Sequence, residues 1–571
     1  VVSAGFFASF LGLGFNSNEA SALFIPTLSA SVDQANLQVN GNQVINSTDK
    51  TTEIPFNFTV NTNNRTGYTA TLSSETENTA LTNATSSAGA KIDSINANLT
   101  LNNLPNNTWG YKFGGTSYYA PIPALSTPAQ IIQTAGKTNG NESNQLSIGM
   151  KLADNLESGN YINKLILSFV SNPYQMRAMM TTGIDFNTKL KSFEAGGNKI
   201  EHIMRSATAS SFGVNTVSLE DEANSDYEIK AWYDSVTKTA YYYTEAEKIF
   251  LNDDSNAMFH NLVNLTSLDV SNFDTSKVRG MGNMFFGDEK LVSLDLSNFN
   301  TQSLTNMDKM FYGMSNLTNL NISSFDTSNV TNMNALFYGM ANIENIDISN
   351  FNTRNITNMS YMFSGMHKLK QLQLPATFDT SNVTDMSFMF ANDHHLHALN
   401  LSHFNTQNVT NMQQMFFGMY ALSSIDLSNF DTKKVTLMDG MFNGCVGLTS
   451  INVSNFNTEN VENMNGMFAF TDSVEELDLS SFRTPKVKTF RAMFFTLNPN
   501  RLKKIYVSSD FDTSAAFAYQ NTDTLANIDI FHMRNQLVGG NGTTIANTAV
   551  EFRNLLKIDR PGVPGLFTRK P

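Results

Sequence analysis

The stretch Leu317-Thr-Asn-Leu320-Asn-Ile322-Ser-Ser-Phe325-Asp-Thr-Ser-Asn-Val330-Thr-Asn-Met333-Asn-Ala-Leu336-Phe337-Tyr-Gly-Met340 decides the fold, because it recurs down the chain. The second residue of its Leu-Phe pair has counterparts at Phe259, Phe285, Phe311, Phe363, Phe390, Phe416, Phe442, Phe468 and Phe494. From 259 to 494, eight of the nine intervals are 26 residues and one is 27, the extra residue lying in Leu374-Pro375-Ala376-Thr377-Phe378. A second Phe keeps the same step at 273, 299, 325, 351, 378, 404, 430, 456 and 482. A fixed period of roughly 20–50 residues marks a repeat architecture, in which each unit buries its apolar side only against its neighbours.

Within one unit, Leu320 and Ile322 alternate with Asn319, Asn321 and Ser323, the period of a strand with one buried face. The spacing Leu317-x-x-Leu320-x-Ile322 matches the strand part of a leucine-rich repeat, and Phe325 stands where such repeats turn off the sheet. Further on, Met359, Met362, Phe363 and Met366 fall at i, i+3, i+4 and i+7, which predicts a short helix with one apolar face. Thr357 is placed to cap its start and Gly365 to end it in a left-handed conformation. The expected fold over 251–500 is therefore an α/β leucine-rich-repeat-like solenoid, each rung a strand plus a short helix. Of 27 Met, 21 lie between 258 and 494, at spacings that predict core filling rather than a partner groove.

The full unit, Leu-x-x-Leu-x-Leu-Ser-x-Phe-[Asp/Asn]-Thr-x-x-Val-Thr-x-Met-x-x-Met-Phe-x-Gly-Met, resembles the repeat of BspA-like leucine-rich-repeat surface proteins. The resemblance covers about 176–571. It takes in Ala231-Trp232-Tyr233-Asp234 and Ala240-Tyr-Tyr-Tyr243-Thr-Glu-Ala246 before the first unit, and Leu537-Val-Gly-Gly-Asn-Gly-Thr543 after the last. It implies bacterial surface display and adhesion rather than catalysis, and it names no ligand.

Outside the repeats the sequence changes character. Residues 1–22 pair an apolar run, Val1 to Phe15, with Ala20-Ser21-Ala22, and resemble a secretory leader without its basic start; an N-terminal strand is the alternative. In 23–175, runs such as Ile54–Val60, Tyr68–Ser73, Ile95–Leu101, Gln145–Lys151 and Ile162–Phe169 are separated by Asn, Gly and Ser turns, which predicts an all-β, Ig-like sandwich serving as a stalk. Residues 176–250 are expected to cap the first rung, with a hairpin turning at Asp234-Ser235 and short helices at Phe186–Phe193 and Ile200–Ser206. Residues 501–571 should cap the last rung, with Pro561–Gly565 leaving the fold as a linker. A chain of 571 residues leaves room for three or four structural units.

The balance of charge bounds the partners. With 37 Lys+Arg against 50 Asp+Glu the net charge is −13, which argues against nucleic acid, whose phosphates reward a basic face. Charged residues are only 15%, and Asn, Ser and Thr take their place, a composition of secreted and cell-surface proteins. A single cysteine, Cys445, excludes an intramolecular disulfide and multi-cysteine metal sites. No apolar run reaches the ~18 residues of a membrane span. No nucleophile elbow, zinc-protease, phosphate-loop or dinucleotide fingerprint is present, so neither catalysis nor a cofactor is expected. Asn-x-Ser/Thr triplets occur along the chain, as at Asn57, and inside the repeats, as at Asn329 and Asn382, they follow from the repeat grammar.

Two features remain as candidates for binding. The strand positions Asp269, Asp295, Asn321, Asp347, Gln373, Asn400, Asp426, Asn452 and Asp478 form a polar ladder on the exposed side of the expected sheet. His367 and His394 stand one unit apart, within reach of a metal shared with Asp393, but solvated loop histidines are the preferred reading and no metal site is expected. The expected function is an extracellular, adhesin-type protein that attaches to host matrix, host cells, glycans or other microbes. The alternative is a surface-layer or filament subunit that associates with its own copies.

Overall fold

The computed structural model describes residues 2–10, 25–209, 215–498, 500–519, 529–548 and 550–570. The chain divides into two units, Val1–Met176 and Arg177–Pro571. The second is one unit despite its length because its buried side chains form one continuous cluster from Ala178 to Phe567.

In the first unit, eleven strands form one hydrogen-bonded network: β1 (Val2–Phe10), β2 (Leu28–Val32), β3 (Asn36–Val39), β4 (Thr51–Thr62), β5 (Tyr68–Ser74), β6 (Leu81–Asn83), β7 (Lys91–Ser94), β8 (Thr108–Phe113), β9 (Ala129–Gln133), β10 (Glu142–Lys151) and β11 (Tyr161–Ser171). The order is β2-β4-β10-β8-β7-β6-β11-β1-β3, with β5 and then β9 branching from β11. The unit is all-β as expected, in two hydrogen-bonded halves, and β7 pairs with β6 of one and β8 of the other so that the halves join into one path. The path bends so that Phe58 of β4 meets Phe169 of β11, ring centroids 5.5 Å apart. Alternation drives this, since Phe56, Phe58 and Val60 are buried while Asn57 and Thr59 between them are not.

Two local expectations in this unit change. The strand foreseen at Ile95–Leu101 stops at Ser94, because Ile95 turns aside to pack with Leu104 and Tyr119 in a small cluster of its own. Val2–Phe10 takes the strand alternative, lying parallel to β11 and antiparallel to β3, while Ala20-Ser21-Ala22 lies outside the described residues.

The second unit overturns the α/β leucine-rich-repeat-like solenoid. Among the described residues of 251–500 there is no helix, and the helices expected at Met359–Met366 and its equivalents are runs of turns. The backbone hydrogen bonds give the reason. A helix needs every N–H to reach back four residues. Here the N–H groups of Met281, Asn283, Phe285 and Gly287 donate instead to the carbonyls of Asn306, Asp308, Met310 and Tyr312 in the next coil, at 2.8–2.9 Å. The residues between them close three-residue turns, Met284 N–H to Met281 O at 3.2 Å and Phe286 N–H to Asn283 O at 3.2 Å.

Left-handed backbone recurs with the same period. The residue two before each first-column Phe has φ of +49° to +61°, at Ala257, Asn283, Lys309, Ala335, Tyr361, Phe388, Gln414, Gly440, Gly466 and Ala492. The glycine read as a helix stop does have positive φ, +77° at Gly365, but its work is different. A Cβ there would make only an ordinary 3.4 Å contact with the Cα of Gly339, so the glycine serves the left-handed turn of the coil, a conformation that Asn261, Asn392 and Phe470 also adopt at this position. The apolar period of 3 and 4 was real; turns repeated on a ladder satisfy it as well as a helix does.

The expected strand also shrinks. Paired strands in the repeats are confined to short pieces such as Ser293–Asp295 with Asn319–Asn321, in parallel register. Besides the backbone bonds between turns, side-chain stacking and one buried hydroxyl per coil hold coil to coil. Phe285, Phe311, Phe337 and Phe363 are fully buried and stack with centroids 5.7–5.9 Å apart. Thr327 and Thr406, 1% exposed, each donate Oγ1 to a carbonyl of the next coil (Asn352, Asp431) at 2.9 Å and accept the N–H of the same residue at 2.7–2.8 Å.

Both ends are closed by polar chain. Lys230–Asp234 and Thr239–Tyr243 form the expected hairpin. His202–Arg205, foreseen as a helix, is a strand between Thr239–Tyr243 and Ser267–Leu268, with Ile203 buried in the core. The helix foreseen at Phe186–Phe193 runs over Gly183–Lys191. At the far end Phe531 stacks on Phe494 at 5.4 Å, and the buried Arg534 donates Nε to Phe494 O at 2.6 Å. Pro561–Gly565 does not leave the fold: Thr568–Arg569 returns to pair with Tyr506–Val507.

Candidate binding surface

The ladder residues are turn builders before they are ligands. Asp269, Asp295, Asp347, Asn400, Asp426, Asn452 and Asp478 each accept, through Oδ1, the N–H of the serine two residues on, at 2.9–3.1 Å. Asn321 does the same with Ser323 at 3.3 Å. Such Asx turns bend the chain out of its short strand and consume one carboxylate oxygen. The serine N–H and hydroxyl hold the carboxyls of Asp295, Asp347 and Asp426 below the usual range. Burial opposes the same shift at Asp478, but bonds from Lys570 and Ser480 outweigh it. Among the described residues one cross-coil hydrogen bond joins two ladder members directly, Asn321 Nδ2 to Asp295 Oδ1 at 2.9 Å. The expected continuous ladder is thus a row of separate turns, and Asp269, Asn321 and Asp478 are only partly exposed.

A second row, which the sequence reading passed over as repeat grammar, is more ordered. In Asn329-Val-Thr331, Asn355-Ile-Thr357, Asn382-Val-Thr384 and Asn408-Val-Thr410 the central residue is buried and its neighbours face out. The Nδ2 of Asn329, Asn355, Asn382 and Asn408 donates to a carbonyl of the preceding coil at 2.8–2.9 Å. Oγ1 of Thr331, Thr384 and Thr410 does likewise at 3.1–3.2 Å. Seven of these eight side chains, all but Thr357, are locked in register with the preceding coil, so the row presents amide and hydroxyl groups with little rotamer entropy left to lose. Charge appears only where the row runs out, at Lys277 and Arg279 on one side and at Lys434, Glu462 and Lys486 on the other.

The histidines do not converge. The rings of His367 and His394 stack face to face, centroids 4.5 Å apart, and Tyr420 continues the stack at 4.5 Å. Nδ1 of His367 meets Asn392 O at 2.9 Å and Nδ1 of His395 meets His367 O at 2.6 Å. Asp393 turns inward, fully buried, accepting the N–H of Met366 at 3.0 Å. Among the described residues no group of three or more His, Cys, Asp or Glu side chains could hold a metal ion. Burial, then the neighbouring imidazoles, lowers the pKa of His394. Cys445 is buried with its thiol pushed up to about 12, the state of an inert core residue. No helix among the described residues is long and apolar enough to cross a membrane.

Comparison with known proteins bears on the repeats alone. The family described as a Mycoplasma protein of unknown function, DUF285, matches at 253–376, 339–424, 371–450 and 420–527. The coil stack is therefore similar to that repeat family, and the finer likeness to BspA-like proteins rests on the motif residues only. No curated protein and no solved structure matches the chain.

Proposed function

We propose that this is a secreted or cell-surface binding protein that presents the Asn–Thr row of its coil stack for attachment to a host or microbial surface. The observation that carries the reading is the row itself: four consecutive coils display neutral amides, each locked in register by a bond to the preceding coil, beside threonine hydroxyls of which three are locked likewise. Such a surface hydrogen-bonds repetitively and weakly, without the aromatic or Arg anchors of a tight protein interface, and so favours multivalent contact. The likeness to a repeat family, the low charge density and the BspA-like motif all support display outside the cell rather than catalysis.

The test is binding of the labelled chain to epithelial cells, matrix proteins and bacterial cells, beside Asn355→Lys/Asn382→Lys/Asn408→Lys. Lys434 and Lys486 already occupy this position in later coils, so the fold accommodates lysine there. Saturable binding that the triple variant loses supports the reading. Binding untouched by the variant, or chains that only self-associate as concentration rises, would transfer the function to another face or to lateral assembly.

A further inference from the structure

The C-terminal end of the second unit holds a cleft of about 910 Å³ that the repeat pattern does not foretell. Its rim carries five cations, Arg483, Lys486, Lys557, Arg560 and Arg569, in a chain whose net charge is −13. Three acids also line it, Glu459, Asp510 and Asp512. Glu459 and Asp510 are taken by Arg483, at 3.0 and 3.6 Å, and Asp512 caps the N–H of Ser514 at 2.8 Å. Lys486 meets a neutral partner, Asn460 Oδ1, at 2.6 Å. Among the described residues no carboxylate pairs with Lys557, Arg560 or Arg569, all three exposed.

The cations are held by a built support. Asp559, 6% exposed, accepts the N–H groups of Asn541 and Thr543 at 2.8 and 2.9 Å, the Thr543 hydroxyl at 2.7 Å and the Gly565 N–H at 3.3 Å. These bonds draw Asn541, Thr543 and Gly565 onto one carboxylate beside the turn in which Arg560 and Val563 exchange N–H and carbonyl bonds at 2.9–3.1 Å. On the other side Arg569 is carried by the strand Thr568–Arg569, paired to Tyr506–Val507. The floor is apolar: Phe567 is fully buried, and its ring meets Phe511 edge-on at 5.1 Å. Between floor and rim, Ser508 and Ser509 offer neutral hydrogen-bonding groups.

We propose that this cleft binds an acidic saccharide, a short run of sugar residues bearing sulfate or carboxylate groups. Each component of the cleft has a counterpart in such a ligand. Arg560 and Arg569 can take planar or tetrahedral oxyanions through two N–H groups at once, and Lys557 supplies a point charge. Ser508 and Ser509 match ring hydroxyls, and the half-buried Phe511 offers an apolar face to the C–H side of a sugar ring. A bare phosphate would leave the floor and hydroxyls unused. A flat lipid surface would not enter the cleft. The cleft begins where the Asn–Thr row ends, at Asn460 and Lys486, but Lys557, Arg560 and Arg569 lie outside the row, so their replacement tests the cleft independently of it.

The experiment titrates the full chain with a sulfated heparin-type hexasaccharide, a carboxylated oligogalacturonate of the same length, a neutral dextran hexasaccharide, inorganic phosphate and phosphatidylglycerol vesicles. Two variants are compared: the cleft triple Lys557→Ala/Arg560→Ala/Arg569→Ala, and an equal charge change elsewhere, Arg354→Ala/Lys368→Ala/Lys433→Ala. The expected result is saturable binding of one or both acidic saccharides, none of dextran, and a Kd raised at least about tenfold by the cleft triple but not by the control, with melting curves of both variants like the parent. Binding should weaken steeply with salt, because the cations are exposed. The proposal is overturned if both triples weaken binding equally, if dextran binds as well, if neither acidic saccharide binds, or if phosphate or vesicles alone compete for the cleft.

Discussion

The two units of this chain solve the same backbone problem in opposite ways. In the first, each strand finds partners at unrelated distances along the sequence: β4 pairs with β2 and β10, and β1 pairs with β11, some 160 residues away. In the second, backbone donors of one coil meet acceptors about 25 residues on, as Phe311 N–H meets Leu336 O and Phe416 N–H meets Met441 O, both at 3.1 Å. One unit spends its apolar residues on a single two-sided core. The other repeats one small core many times, so that a defect in one coil is felt first by its two neighbours.

The comparison can be broken most strongly at the aromatic centres. Phe390→Ala opens the middle of a stack in which Phe363 and Phe416 lie 5.8 and 6.0 Å away, and Phe58→Ala opens the core of the first unit. Each should cost about 3–5 kcal/mol. Hydrogen exchange should then show Phe390→Ala loosening the adjoining coils most, with protection recovering along the stack, whereas Phe58→Ala loosens β4, β10 and β11 together. Equal loosening of all coils would show that the stack melts as one block.

A change at the end of the stack comes next. Arg534→Met removes a fully buried guanidinium that bonds Phe494 O and lies 3.6 Å from Asp472. Loss of one member of a buried pair costs about 3 kcal/mol, and chemical denaturation should register it with exchange fastest in the last coils. Thr406→Val is smaller. It leaves the N–H and C=O of Asp431 unpaired beneath the surface, at about 1–2 kcal/mol. A loss as small as that of an exposed Thr→Val change would mean the hydroxyl column is dispensable.

The fourth change sharpens the comparison by sign. Burial raises the pKa of Asp393 well above its ordinary value, the Met366 N–H only partly offsetting it, so the folded state holds a proton that the unfolded chain releases. Stability from this group is full below the unfolded pKa, about 4, and is lost as pH rises toward the folded pKa. Asp393→Asn should therefore melt higher than the parent near neutral pH, with the gain shrinking in acid. Melting curves at pH 4 and pH 8 decide it; a gain independent of pH would mean that the parent carboxyl is not protonated when buried.

How much of this was legible in the sequence follows from the same contrast. The period, the buried Phe and Met columns and the capping hairpin at 230–243 could be read directly, because spacing alone carries them. The helix could not. Met359, Met362, Phe363 and Met366 have the spacing of an apolar helix face, and only the position of the next coil tells whether their N–H groups turn inward or across. The binding residues fared similarly. The ladder acids were found as exposed positions but not as Asx turns, and the Asn–Thr row was dismissed because a motif that repeats for structural reasons hides any second use.

What the sequence by itself determined is the repetition: identical units must bury identical faces against one another, and composition made the outer face polar and weakly charged. What only the tertiary structure decided is where each backbone N–H goes and which distant side chains meet. Lys557, Arg560 and Arg569 share no motif with Arg483 and Lys486; they line one cleft because Asp559 draws Asn541, Thr543 and Gly565 onto its carboxylate and Thr568–Arg569 returns to the sheet. Local spacing can fix a period, but convergence of separate segments depends on contacts that no single segment contains.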